Sequence, residues 1–166
     1  MILTLFTYSS QAQESSKFKF HSVTVGIGTF TSLTDSFEGN LNGLNFNADL
    51  AFDLNDYLFS LYISTGLNNL IVEEQSYSEF NLTIGKEFRF NNWFAIEGHL
   101  GIGYFYYKYK SIFANSFSER TLGFPLRIKS NFYLNDHWVL GLNPNFNINT
   151  YYSVILSGCL IVQYVF

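Results

Sequence analysis

The chain contains one cysteine, Cys159, two prolines and one methionine. A single thiol excludes an internal disulfide and any multi-cysteine metal site. Basic residues are also scarce, 9 lysines and arginines against 13 acidic residues, for a net charge of −4. With no basic stripe to neutralise phosphates, nucleic acid is excluded as a partner. Charged residues make up only 13% of a chain that is 48% hydrophobic, which excludes a disordered polymer. Nor is there an apolar run long enough for a spanning helix, which needs ~20 residues. Trp138 to Phe166 carries no charge, but Asn143, Pro144, Asn145, Asn147 and Asn149 interrupt it, and what remains from Val154 is too short.

What is abundant is aromatic: 19 Phe and 12 Tyr, accompanied by 12 Gly. Aromatic side chains suit pleated strands better than helices, so an all-β fold is expected. The apolar run Met1 to Phe6 is followed by Ser10-Gln11-Ala12, which fits the small-x-small rule for signal peptidase. Residues 1–12 are therefore read as a signal peptide and 13–166 as the mature domain. That hydrophobic region is short and no basic residue precedes it, which points to a start upstream of Met1. An exported, strand-rich chain without a spanning helix has one way to satisfy every backbone group in lipid, a closed barrel.

Three tight turns punctuate the chain at Asn55-Asp56, Asn91-Asn92 and Asn135-Asp136, each flanked by aromatic strand ends. Asn and Asp tolerate the left-handed backbone of a hairpin tip. Between the tips lie longer polar segments, Ser32 to Gly43, Asn68 to Ser76 and Lys108 to Ser118. The segments left over are eight strands: Phe20 to Thr31, Leu44 to Leu54, Tyr57 to Leu67, Tyr77 to Phe90, Trp93 to Tyr107, Glu119 to Leu134, His137 to Asn147 and Tyr152 to Phe166. An even count with short turns at one end and long loops at the other predicts an eight-stranded antiparallel up-and-down transmembrane β-barrel with both termini periplasmic.

Within strands the residues alternate. Phe94, Ile96, Leu100, Ile102, Tyr104 and Tyr106 occupy one parity, and Ala95, Glu97, His99, Gly101 and Gly103 the other. Alternation alone leaves open which face points inward, and a lipocalin-like soluble carrier would turn the polar face out. Aromatics decide for lipid. On the apolar parity Phe52, Phe90, Phe94, Phe132, Trp138 and Phe166 crowd the short-turn ends, and Tyr104, Tyr106, Phe146 and Tyr152 the long-loop ends. Paired aromatic girdles mark a bilayer-facing surface, and eight strands enclose too little space for so many rings.

Val154, Leu156, Leu160, Val162, Tyr164 and Phe166 alternate with Ser153, Ser157, Cys159 and Gln163 and end on Phe. With the three Asn-rich turns, this makes residues 17–166 similar to the small eight-stranded outer-membrane β-barrel family that includes the transmembrane domain of outer-membrane protein A. The resemblance implies residence in the cell outer membrane of a Gram-negative bacterium and outer-membrane lipids as surroundings. It further implies Tyr164 and Phe166 as the signal read by the barrel-assembly machinery.

Two relatives of that architecture modify lipid A, so the resemblance makes a lipid A enzyme one alternative. A serine nucleophile needs an adjacent base. No His-x-Ser occurs, and consecutive His21 and Ser22 on an ideal strand would face opposite ways. Cys159 is expected to be a packing residue. His99 and Glu97 share a face with no third metal ligand evident, and the Gly26-Ile27-Gly28 and Gly101-Ile102-Gly103 fragments lack the helix of a nucleotide loop. No catalytic, metal or cofactor site is therefore expected.

The interior is legible as charge. Glu87, Arg89, Glu97, His99, Arg127 and Lys129 share the inward parity of three consecutive strands. If Tyr107 faces Glu119, His99 falls opposite Arg127 and Glu97 opposite Lys129. A three-residue second turn sets Glu87 against Glu97, a repulsive pair that calls for bridging cations. Lys86 is the misfit, a lysine on the apolar parity, expected to snorkel or to be re-aimed by a bulge near Gly85. The resulting expectation is a monomeric, side-chain-filled barrel with a structural or recognition role, meeting an unidentified extracellular ligand through its long loops. A narrow channel for small or apolar solutes, a lipid A enzyme and a soluble carrier remain the alternatives.

Overall fold

A computed structural model of the chain describes residues 18–33, 42–69, 73–111, 116–150 and 154–166. The expected signal peptide, 1–12, and Tyr152 of the upper girdle lie outside these residues. Eight strands are present: β1 (Lys19–Ser32), β2 (Asn42–Leu54), β3 (Tyr57–Asn69), β4 (Glu73–Arg89), β5 (Phe94–Ser111), β6 (Phe117–Tyr133), β7 (Trp138–Asn149) and β8 (Val154–Val165). Each pairs antiparallel with the next, and β8 returns to β1 to close the barrel.

Turn lengths follow from side-chain parity, because facing residues of a ladder share a face. Leu54 pairs with Tyr57, leaving the two-residue turn Asn55-Asp56, in which Asn55 takes a φ of 56°. The other two tips must join even to even positions and so need odd loops. Phe90 donates to the Phe94 carbonyl and Leu134 to that of Trp138, each enclosing three residues. Asn91 and Asn135 cap these turns with their side-chain carbonyls, accepting from Trp93 N and His137 N.

The strands run further than the hydropathy pattern indicates. β4 starts at Glu73, β5 continues to Ser111 and β6 begins at Phe117, taking up residues expected in loops. A hairpin ladder satisfies its backbone in water as well as in lipid, so pairing does not stop at the membrane surface. Glu74, Lys108, Lys110 and Arg120 consequently stand exposed on strand extensions, on the same parity as Lys86. The β5–β6 ladder lapses between Leu100↔Leu126 and Gly103↔Gly123, where Pro125 has no N–H to donate.

Apolar side chains face outward throughout, among them Leu100, Ile102, Leu122, Leu126, Ile128, Leu140 and Leu160. Ten residues separate Phe94 from Tyr104; at ~3.3 Å each and a strand tilt of ~40°, the belt is ~25 Å tall, the height of an outer-membrane apolar band. The lower girdle contains two arcs of ring contacts, one with Phe20 4.6 Å from Phe166 and Trp138 5.1 Å from Tyr164, the other with Phe94 5.2 Å from Phe132. Lys86 keeps its outward position in unbroken register, with no bulge at Gly85. Its ammonium lies 5.8 Å from the Tyr57 ring. Strand stagger brings the end of the neighbouring hairpin level with Lys86, so the charge reaches the interface although its own turn lies further on.

Candidate functional site: the barrel lumen

The inward parity builds three tiers. In the middle, Arg127 and Lys129 of β6 and Asp49 of β2 meet across the lumen: Lys129 Nζ lies 2.7 Å and Arg127 Nη1 3.2 Å from Asp49 Oδ2. Lys129 also reaches Glu97 Oε2 at 3.2 Å, and His99 Nε2 lies 3.0 Å from the same oxygen. Asn131 and Gln163 donate side-chain amides to Glu97 Oε1. Arg127 Nη2 donates to Ser60 (2.7 Å) and Thr83 (3.0 Å), and its guanidinium stacks 4.1 Å from the Tyr62 ring. All four charged side chains are fully buried. Burying charges is tolerable only when partners replace water, and this tier draws them from six strands; among the described residues Asp49 Oδ1 and Arg127 Nε are left without a hydrogen-bond partner.

Toward the short turns, Glu87 accepts from Tyr133 OH at 2.6 Å and pairs with Arg89 at 3.3 Å, while Arg89 lies over the Tyr133 ring. Here β1 carries a bulge: Phe20 pairs with Phe52 and Ser22 with Ala51, leaving His21 as an extra residue. A bulge re-aims a side chain. His21 and Ser22 therefore both turn inward, contrary to the opposite facing expected of an ideal strand, and His21 Nδ1 lies 3.0 Å from Asp53 Oδ2. Toward the long loops, Glu79 is held by the amides of Asn145 (2.8 Å) and Asn147. Above it Asn45 accepts from Ser64 and Tyr77 and donates to Cys159 Sγ, so the thiol is enclosed in packing. Phe30, Tyr77, Phe105, Tyr107, Tyr109 and Ile155 then cap the lumen as an aromatic cluster.

The expected register holds, with His99 opposite Arg127, Glu97 opposite Lys129 and Glu87 opposite Glu97. The six expected network residues nevertheless divide. Glu97, His99, Arg127 and Lys129 share the middle tier, whereas Glu87 and Arg89 join Tyr133 at the rim. Among the described residues no cation bridges Glu87 and Glu97; each has its own. Asp49, Glu79 and the lumenal aromatics were not anticipated as parts of the interior network. Asp49 carries inward parity in the sequence, but its partners lie across the barrel rather than on adjacent strands. Tyr164 and Phe166 face outward in the lower girdle, 4.9 Å apart.

A closed eight-stranded barrel with an apolar exterior, aromatic girdle and charged, filled lumen defines an integral outer-membrane protein; a soluble carrier would wear these faces reversed. Residues 1–153 match the outer membrane protein β-barrel domain family, and the chain belongs to that family. It therefore resides in the cell outer membrane. No curated protein is detectably similar in sequence. Among solved structures, Ail, the attachment invasion locus protein of Yersinia pestis, is 19% identical with a TM-score of 0.66, the match covering 89% of this chain and 99% of Ail. Neisserial surface protein A is 10% identical (TM-score 0.74; 88% and 97% covered), and the N-terminal barrel of Pseudomonas aeruginosa OprF 8% (0.60; 90% and 100%). At these identities the likeness is one of fold.

Proposed function

We propose that the protein is a sealed, monomeric outer-membrane scaffold, structural or recognitional rather than catalytic, with both termini periplasmic and its long loops presented to an extracellular ligand. The observation that carries this reading is the middle tier: Asp49, Glu97, Arg127 and Lys129 fill the lumen cross-section and are spent on one another. The aromatic cluster at the long-loop end supports it by closing the lumen a second time. Lumenal carboxylates are engaged by cations or amides instead of standing beside an activated nucleophile. Exposed charge on the strand extensions, at Lys108, Lys110 and Arg120, suits a surface standing above the membrane. Outer-membrane lipids contact the belt, and the assembly machinery reads Tyr164 and Phe166. Planar-bilayer recording on the purified barrel tests the sealed lumen. Flat baselines are expected, and a stable, water-filled conductance in every insertion would replace this reading with a channel.

A further inference from the structure

We propose that the short-turn mouth of the lumen is a binding site for one divalent transition-metal ion of the zinc type, held by His21, Glu87 and Glu97. One ligand atom from each of these side chains lies within 4.8 Å of the others. A tetrahedral ion with bonds of ~2.1 Å wants donors about 3.4 Å apart, so modest rotation of the partly exposed His21 and Glu87 closes the set. One imidazole and two carboxylates suit an ion of borderline softness, and water from the mouth supplies the fourth position.

Further features point to the same place. The β1 bulge turns His21 into the lumen. Its Nδ1 is engaged with Asp53, while its Nε2 is buried with no hydrogen-bond partner among the described residues. A carboxylate on one ring nitrogen sets the tautomer that leaves a lone pair on the other, the arrangement that orients metal-bound histidines. Glu87 and Glu97 face each other directly in the β4–β5 ladder without a cation shared between them. A dication between them turns that repulsion into attraction. Among the described residues of this half of the lumen, Asp49, Glu87 and Glu97 pair with Arg89, Arg127 and Lys129, while Asp53 pairs with His21 itself, so four carboxylates stand against three lysine and arginine cations and the local charge favours a further cation. Access is open, since His21 and Glu87 retain 14% and 20% side-chain exposure while Glu97 is fully buried.

The test uses the full detergent-folded chain, stripped with chelator and titrated with Zn²⁺ by calorimetry, then with Co²⁺ by visible absorption. One equivalent of Zn²⁺ is expected to bind and to raise the unfolding temperature, and Co²⁺ to give the intense d–d bands of a low-symmetry four-coordinate site. His21→Gln and Glu87→Gln, on different strands, should each weaken binding by more than about 100-fold, and Asp53→Asn by about 10–100-fold. His137→Gln, at the exposed third turn, should leave it unchanged. Absence of binding at millimolar Zn²⁺ overturns the proposal. So does one-equivalent binding that survives His21→Gln and Glu87→Gln, or that is lost with His137. Co²⁺ spectra of the wild-type barrel decide the matter even if a variant fails to fold.

Discussion

Asp49→Asn is the sharpest probe of how the lumen is held. The substitution keeps volume and one carbonyl acceptor but removes the charge that both Arg127 and Lys129 contact, at 3.2 and 2.7 Å. Two fully buried cations are then left with Glu97 as the one carboxylate in contact, and Glu97 touches Lys129. Removing one partner of a buried ion pair costs ~3 to 5 kcal/mol, because the other charge stays buried. Arg127 keeps its bonds to Ser60 and Thr83 and its place against Tyr62, and Lys129 keeps Glu97. Those remaining contacts set the expectation at the lower bound, about 3 kcal/mol. Reversible urea unfolding in lipid vesicles, followed by tryptophan fluorescence and heat-modifiable mobility, measures it, with Lys110→Gln as an exposed control expected to show no change. The double variant Asp49→Asn/Arg127→Met removes the stranded guanidinium and should regain part of the loss. A cost below about 1 kcal/mol for Asp49→Asn, within the range of ordinary surface changes, would refute the argument that paired charge organises this interior.

Lys86→Leu should stabilise the barrel by about 1 kcal/mol or less, the cost of a lysine at the interface; a gain of roughly 2 to 4 kcal/mol in the same unfolding assay would place the ammonium at mid-bilayer. Gly28→Ala should destabilise by roughly 1 to 3 kcal/mol, since a Cβ there would sit 2.7 Å from Cys159 Cα and nearer still to the Gly158 carbonyl, which cannot yield without moving β8. Gly98→Ala meets nothing within 4 Å and should fold with unchanged mobility; equal behaviour of the two variants would contradict the packing described at the β1–β8 junction.

Much of this architecture was legible because antiparallel pairing propagates. Once Tyr107 is set against Glu119, His99 and Glu97 have no freedom in their partners. The parity of Phe90 and Phe94 likewise demands an odd loop. Contacts across the lumen follow another rule, since they depend on how far the strands stagger around the barrel, and no pairwise pattern encodes that distance. Asp49 therefore reads as one more inward polar residue until Arg127 is seen to reach it. The same holds for Glu79 with Asn145 and Asn147. The His21 bulge was hidden for a different reason. One extra residue shifts the phase of β1 below Ser22, and a short stretch at a strand end gives no alternation from which to detect it. The inward rings at Tyr77, Phe105, Tyr107 and Tyr109 pack together at the long-loop end, and their parity was visible although their role as a cap was not.

Closure of the ring constrains how this chain can enter a bilayer. β1 meets β8 from Ser22↔Val165 to Ser32↔Ile155, and Thr24 and Gln163, 139 residues apart, hydrogen-bond across the junction. Bringing such distant segments together costs about 4 kcal/mol in loop entropy. Until they meet, two strand edges would expose unpaired amides and carbonyls to hydrocarbon at several kcal/mol for each group. A half-inserted sheet thus has no free-energy minimum in which to rest. Crossing the membrane and joining first strand to last become a single event, and a chain that loses β8 forfeits the other seven strands with it.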